Sequence, residues 1–159
     1  MIANFKSVTF ALIIASLMGA GLAMAQALTT TPSAATDARP DTREAIAMAP
    51  ADREFVLGQM RGFLEAMQGV MENAAAGNPA QVVAIARATG MAHTGDTPAS
   101  VRQSLPMAFR QLGRDTHMRF DAIADTAEKG GDAAAIFSAV TAMLANCNSC
   151  HQAYKLVTK

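Results

Sequence analysis

From Ala51 to the end of the chain, apolar residues return every three or four positions. No stretch sustains the every-second-residue alternation of a half-buried strand. That pattern restricts the chain to packed helices. Val56, Met60, Phe63, Met67, Val70 and Met71 share one face of a first helix, while Glu54, Arg61, Glu65, Gln68 and Glu72 fall mostly outside it. Gly77-Asn78-Pro79 closes this helix and opens a short second one, about Pro79 to Thr89, which Gly90 stops. A loop from Met91 to Pro98 follows. Pro106 interrupts any helix begun at Thr97-Pro98, so a short turn should precede the main third helix, Leu105-Pro106 to about Lys129. Gly130-Gly131 ends it, and Asp132 is placed to cap a fourth helix that runs to about Leu156. Short links make the first two and the last two helices antiparallel neighbours. The expected fold is all-α, an up-down-up-down four-helix bundle. Its expected core is Val56, Met60, Phe63, Met67, Val82, Phe109, Leu112, Phe120, Ile123, Phe137, Val140 and Leu144.

The residues before Ala51 read differently. Lys6, the apolar run Val8 to Met18 and the small-x-small triplet Ala23-Met24-Ala25 have the form of a cleavable export signal, residues 1–25. The run is short for a membrane span, and no other stretch looks long and apolar enough to make one. The expected compartment is a bacterial periplasm, with no stable membrane insertion after cleavage. Residues 26–50 lack apolar periodicity and carry Pro32, Pro40 and Pro50, which suggests a flexible arm before a single domain over 51–159. Thirteen basic and thirteen acidic side chains balance, and removal of the signal takes Lys6 with it, leaving one acid in excess. A nucleic-acid binder would normally carry a basic surplus. One Tyr and no Trp suit a helical bundle better than a sandwich.

The chemistry is concentrated in Cys147-Asn148-Ser149-Cys150-His151. This C-x-x-C-H spacing is the attachment sequence for c-type haem. Two thiols one helical turn apart reach the two vinyl groups on one porphyrin edge, and the adjacent His supplies an axial iron ligand. Three other readings compete with it. A disulfide so short would staple almost nothing. A thioredoxin-type pair should follow a strand in an α/β fold. A zinc site would need two more ligands at organised spacing, and His93 and His117 are isolated.

A C-terminal Cys-x-x-Cys-His in the last helix of a bundle, continued by Gln152-Ala153-Tyr154-Lys155, resembles the cytochrome c′ family and its methionine-ligated relatives. The resemblance implies one covalent haem c at the end of the bundle, with Cys147 and Cys150 as thioether residues and His151 as proximal ligand. It implies that the first helix covers the distal face, and that a basic residue just past the proximal His, here Lys155, tunes it. The distal candidates at the expected depth are Met60 and Leu64. The family's Arg four residues before the distal position is missing, since Met60 stands at that spacing from Leu64 and Arg61 is one off. The flexible thioether of Met60 could reach iron, although Met stripes at helical spacing are usually core. Met67 is deeper. His117 on the third helix is the rival ligand, with a lone boundary His as its bland alternative. His93 reads as solvated. Arg110 and Arg114 could pair with haem propionates, surface solvation being the alternative.

Three functions follow from these residues. With two protein ligands the haem would exchange electrons with redox partner proteins. With an open distal site walled by Phe63, Leu64 and Met67 it would bind NO or CO. An enzyme would need a distal acid–base group, and the first helix offers none on its central stripe. The expectation is therefore an exported c-type electron-transfer protein, not an enzyme, with gas binding as the alternative. Homodimers are common in the family.

Overall fold

The computed structural model describes residues 40–159. The expected export signal, residues 1–25, and the part of the expected arm before Pro40 lie outside the described residues. The elements run β1 (Glu44–Met48), α1 (Pro50–Ala75), α2 (Pro79–Thr89), a 3-10 turn (Met91–Asp96), α3 (Ala99–Ser104), α4 (Met107–Glu128), α5 (Ala133–Ala153) and β2 (Tyr154–Thr158). The chain is thus mostly helical, in keeping with an all-α class.

Local signals set the helix ends. Pro50 and Pro79 occupy first-turn positions, where a missing N–H costs nothing. Gly77 takes the turn between α1 and α2 with φ +68°, a left-handed conformation that favours glycine. The Asp132 side chain accepts from Ala135 N at 2.8 Å and caps α5. Gly90 is needed for a different reason. A Cβ there would come within 2.2 Å of Asp121 Oδ1, and the same carboxylate accepts from Met91 N at 3.0 Å. Asp121 thereby fastens the turn after α2 onto α4. Arg87 of α2 adds Asp125 and Glu128 to that seam, at a half-exposed surface where ion pairs contribute little.

The long helices close on one another. α1 packs on α2, α2 on α4, α4 on α5, and α5 returns to α1. Phe109 meets Tyr154 just beyond α5, whereas Thr116 meets Asn146, so α4 and α5 run antiparallel. The main core gathers Val70, Val82, Ala86, Phe120, Ile123, Val140 and Met143, all within 2% of complete burial. A second, smaller core holds Ile46, Met48, Val56, Val101 and Phe109.

Three expectations need correction. Residues 44–48 are not arm: they form a strand that pairs in parallel with Tyr154–Thr158, Ile46 opposite Leu156. The fourth helix accordingly ends at Ala153 rather than near Leu156, because Tyr154 turns extended at φ −128°. The third correction concerns α5, whose 21 residues are long and apolar enough to cross a membrane by length and composition, with a mean hydropathy of 1.3. Its Ala-rich sequence raises that average, while Ile136, Val140 and Met143 are buried against the other helices.

Candidate functional site

Cys147, Cys150 and His151 sit in the last two turns of α5 and line one cavity of about 750 Å³. The remaining walls come from α1, the 3-10 turn, α3 and α4. Every sequence-predicted ligand lies on this surface: Met60 and Leu64 from α1, and His117 from α4. Phe63 and Met67 line it as well. Six expected core residues are only half-buried. Met60, Phe63, Met67 and Leu144 pack against a core on one side and face the hollow on the other. Leu112 and Phe137 are likewise half-buried, and neither lines the cavity.

Both thiols are free. Burial pushes the pKa of each above the ordinary thiol range, and proximity to Cys147 raises Cys150 further. Their place at the C-terminal end of α5 acts in the same direction, since the negative end of a helix disfavours a thiolate. A redox-active C-x-x-C pair relies on the opposite setting, a helix N-terminus that lowers the thiol pKa.

One polar contact fixes the rotation of α5 just before the motif. Buried Asn146 donates its Nδ2 to Asp115 Oδ2 at 2.7 Å, and Arg119 Nε donates to the same oxygen at 2.7 Å. These donors hold the Asp115 carboxyl below its ordinary pKa, Asn146 being the larger cause. The sequence reading missed this triad. Its one visible trace was the Asp115–Arg119 spacing of four residues.

His117 is held from both sides. Its Nδ1 lies 2.7 Å from the carbonyl oxygen of Thr89, and Phe63 meets its ring edge-on at 4.9 Å between centroids. A carbonyl only accepts, so Nδ1 carries the proton and Nε2 is left with its lone pair. Nε2 has no hydrogen-bond partner among the described residues and is not sealed from solvent. His93 is exposed, as expected, yet it also lines the cavity, with its ring centroid 6.4 Å from that of His117.

The charge distribution is one-sided. Arg61, Arg102, Arg110 and Arg114 reach the cavity surface, and no Asp or Glu among the described residues does. Arg61 has Glu54 at 4.0 Å and Arg102 donates to the Thr97 carbonyl. Arg110 and Arg114 make no ion pair with a described residue. Lys155 departs from its expected place. It lies on β2 rather than on a helix, and its Nζ pairs with Asp41 Oδ2 at 3.4 Å. Arg43 also binds Asp41, and its Nη1 donates to the carbonyls of His151 and Tyr154. The strand pair therefore fastens the chain directly after the motif.

No three His, Cys, Asp or Glu side chains among the described residues converge as a metal-ion ligand set. Comparison with protein-family models, curated proteins and solved structures returns no match for this chain.

Proposed function

We propose that this chain is an exported c-type cytochrome of the cytochrome c′ type, an up-down-up-down four-helix bundle that holds one covalent haem c and transfers electrons. The observation that carries the reading is the convergence of Cys147, Cys150 and His151 on a single apolar cavity free of carboxylates. Its volume of about 750 Å³ falls within the range of cofactor pockets. A flat apolar ring with two carboxylate arms asks for apolar walls and cations at the rim. Phe63, Leu64, Met67 and Leu144 supply the first, and Arg110 and Arg114 the second.

In this reading Cys147 and Cys150 bind by thioether links. Addition of each S–H across one vinyl group would place sulfur on one carbon and hydrogen on the other, so attachment would consume no oxidant and would need both thiols reduced. Both thiols are free. His151 would hold the iron from the protein side, and because a porphyrin brings its own nitrogen ligands, a converging set of protein ligands would not be required. When bound, the group supplies a one-electron iron couple whose potential depends on axial ligand and burial. The apolar walls limit water around it. The partners are redox proteins, and the proposal includes no enzymatic turnover. A periplasmic location rests on residues 1–25 alone.

The second reading, binding of NO or CO, draws on one observation. Leu64 is 64% exposed at the cavity mouth, which leaves a route for a small gas. The absorption spectrum of haem-loaded, reduced protein separates the two. The electron-transfer reading expects a low-spin spectrum unchanged by CO. A high-spin spectrum that shifts on CO addition replaces it with the gas-binding reading.

A further inference from the structure

Among the cavity's side chains, His117 is the one whose ring is already oriented and whose second nitrogen is unused. This deepens the haem reading and rests on it. We propose that His117, rather than Met60, is the sixth iron ligand. The hydrogen bond from Nδ1 to the Thr89 carbonyl fixes the tautomer with the Nε2 lone pair available. Metal-bound histidines usually carry just such an outer partner on the other nitrogen, because it sets the tautomer and raises ligand basicity. The edge of Phe63 holds the ring from α1, so little rotamer freedom remains to be lost on ligation.

The helix register agrees. The Asn146 contact sets residues 115–116 of α4 level with residue 146 of α5. His151 lies five residues beyond that level on α5, and His117 lies on the other side of it because the helices are antiparallel. At the helical rise per residue the two histidines stand roughly 10 Å apart along the bundle axis. Both histidines line the one cavity, at different levels of it.

Met60 lines the same cavity, but no hydrogen bond among the described residues orients its side chain as Thr89 orients His117. It packs on the smaller core beside Leu105, Cys150 and Tyr154, at the strand end of the domain. His93 is the other neighbouring imidazole, but it is exposed in the 3-10 turn, and no hydrogen bond to its ring from a described residue orients it.

The test uses full-length protein matured with haem in a periplasm, with H117A, M60A and H93A beside the unaltered chain. Two readouts keep the proposals apart: resistance of the haem to acid-acetone extraction, and spin state by absorption and EPR. The unaltered protein, M60A and H93A should be low-spin, without the near-infrared charge-transfer band of a sulfur-ligated ferric haem. H117A should keep its covalent haem, turn fully high-spin, bind CO, and return to low spin when free imidazole is added. That rescue separates lost ligation from lost packing. The unaltered protein's near-infrared spectrum decides the matter even if H117A does not fold. Low-spin H117A, high-spin M60A, a sulfur band or a high-spin parent overturns the His117 assignment and leaves the haem reading standing. Extractable haem in every variant overturns the haem reading itself.

Discussion

The two ends of the helix assembly use similar residues to opposite effect. Toward the loops at Gly77 and Gly130, small residues on α1 and α2 let the helices approach, and Ala66, Val70, Ala74, Val82 and Ala86 close around Phe120 and Ile123. Toward the strand end, α1 carries Met60, Phe63 and Met67 in equivalent rows; each touches a core on one side, but on the other side a cavity opens. The partner helix explains the difference. α2 is only 11 residues long, so it backs the far half of α1 and stops at Gly90. The 3-10 turn and α3 replace it beside the near half and contribute lining residues rather than a packed helix face. Stability is concentrated at one end, and space for a ligand at the other.

The largest expected effect comes from breaking the closed end. Phe120→Ala removes a fully buried ring and should destabilise the domain by about 3–5 kcal/mol. Leu64→Ser at the cavity mouth should change stability by no more than about 0.5 kcal/mol. Denaturant unfolding of both variants measures the contrast directly. Equal losses would mean that the open end is packed as tightly as the closed one.

The smallest effect concerns the strand clasp. Arg43 holds Asp41 well below its ordinary carboxyl pKa, with a lesser contribution from Lys155. A depressed acid contributes stability that is complete above its unfolded pKa, about 3.9. That contribution is lost as pH falls through the lower folded value. Amide exchange over residues 44–48 should therefore stay flat from neutral pH down to about pH 4, after allowance for intrinsic rates, and rise only below it. In Asp41→Asn this acid step should disappear. An unchanged acid step in that variant would show that Asp41 does not hold the clasp.

Much of the helical layout was legible because its signals are local. Pro79, Gly90 and Asp132 mark helix ends through backbone chemistry within one turn, and each lies where the structure begins, stops or caps a helix. The strands were not legible, since β1 meets its partner more than a hundred residues later and only Ile46 and Met48 alternate inward. Tyr154, Val157 and Thr158 are good strand formers, but a helix read to about Leu156 absorbed the first and left the other two too short a run to stand as a strand. The cavity was half-legible. Periodicity placed Met60, Phe63 and Met67 on an inward face but could not distinguish a packed face from a hollow one. The His117 hydrogen bond to Thr89 was invisible, because a backbone carbonyl on another helix leaves no trace in residue identity.

The central claim is that the two thiols beside His151 exist to hold a haem in the open end. Its most direct test is the intact mass of protein matured in a periplasm, measured under denaturing conditions, for the unaltered chain and for Cys147→Ala with Cys150→Ala. The account predicts one haem retained by the unaltered chain and none by the double variant. A mature chain that carries no haem, or a double variant that keeps one, would contradict it.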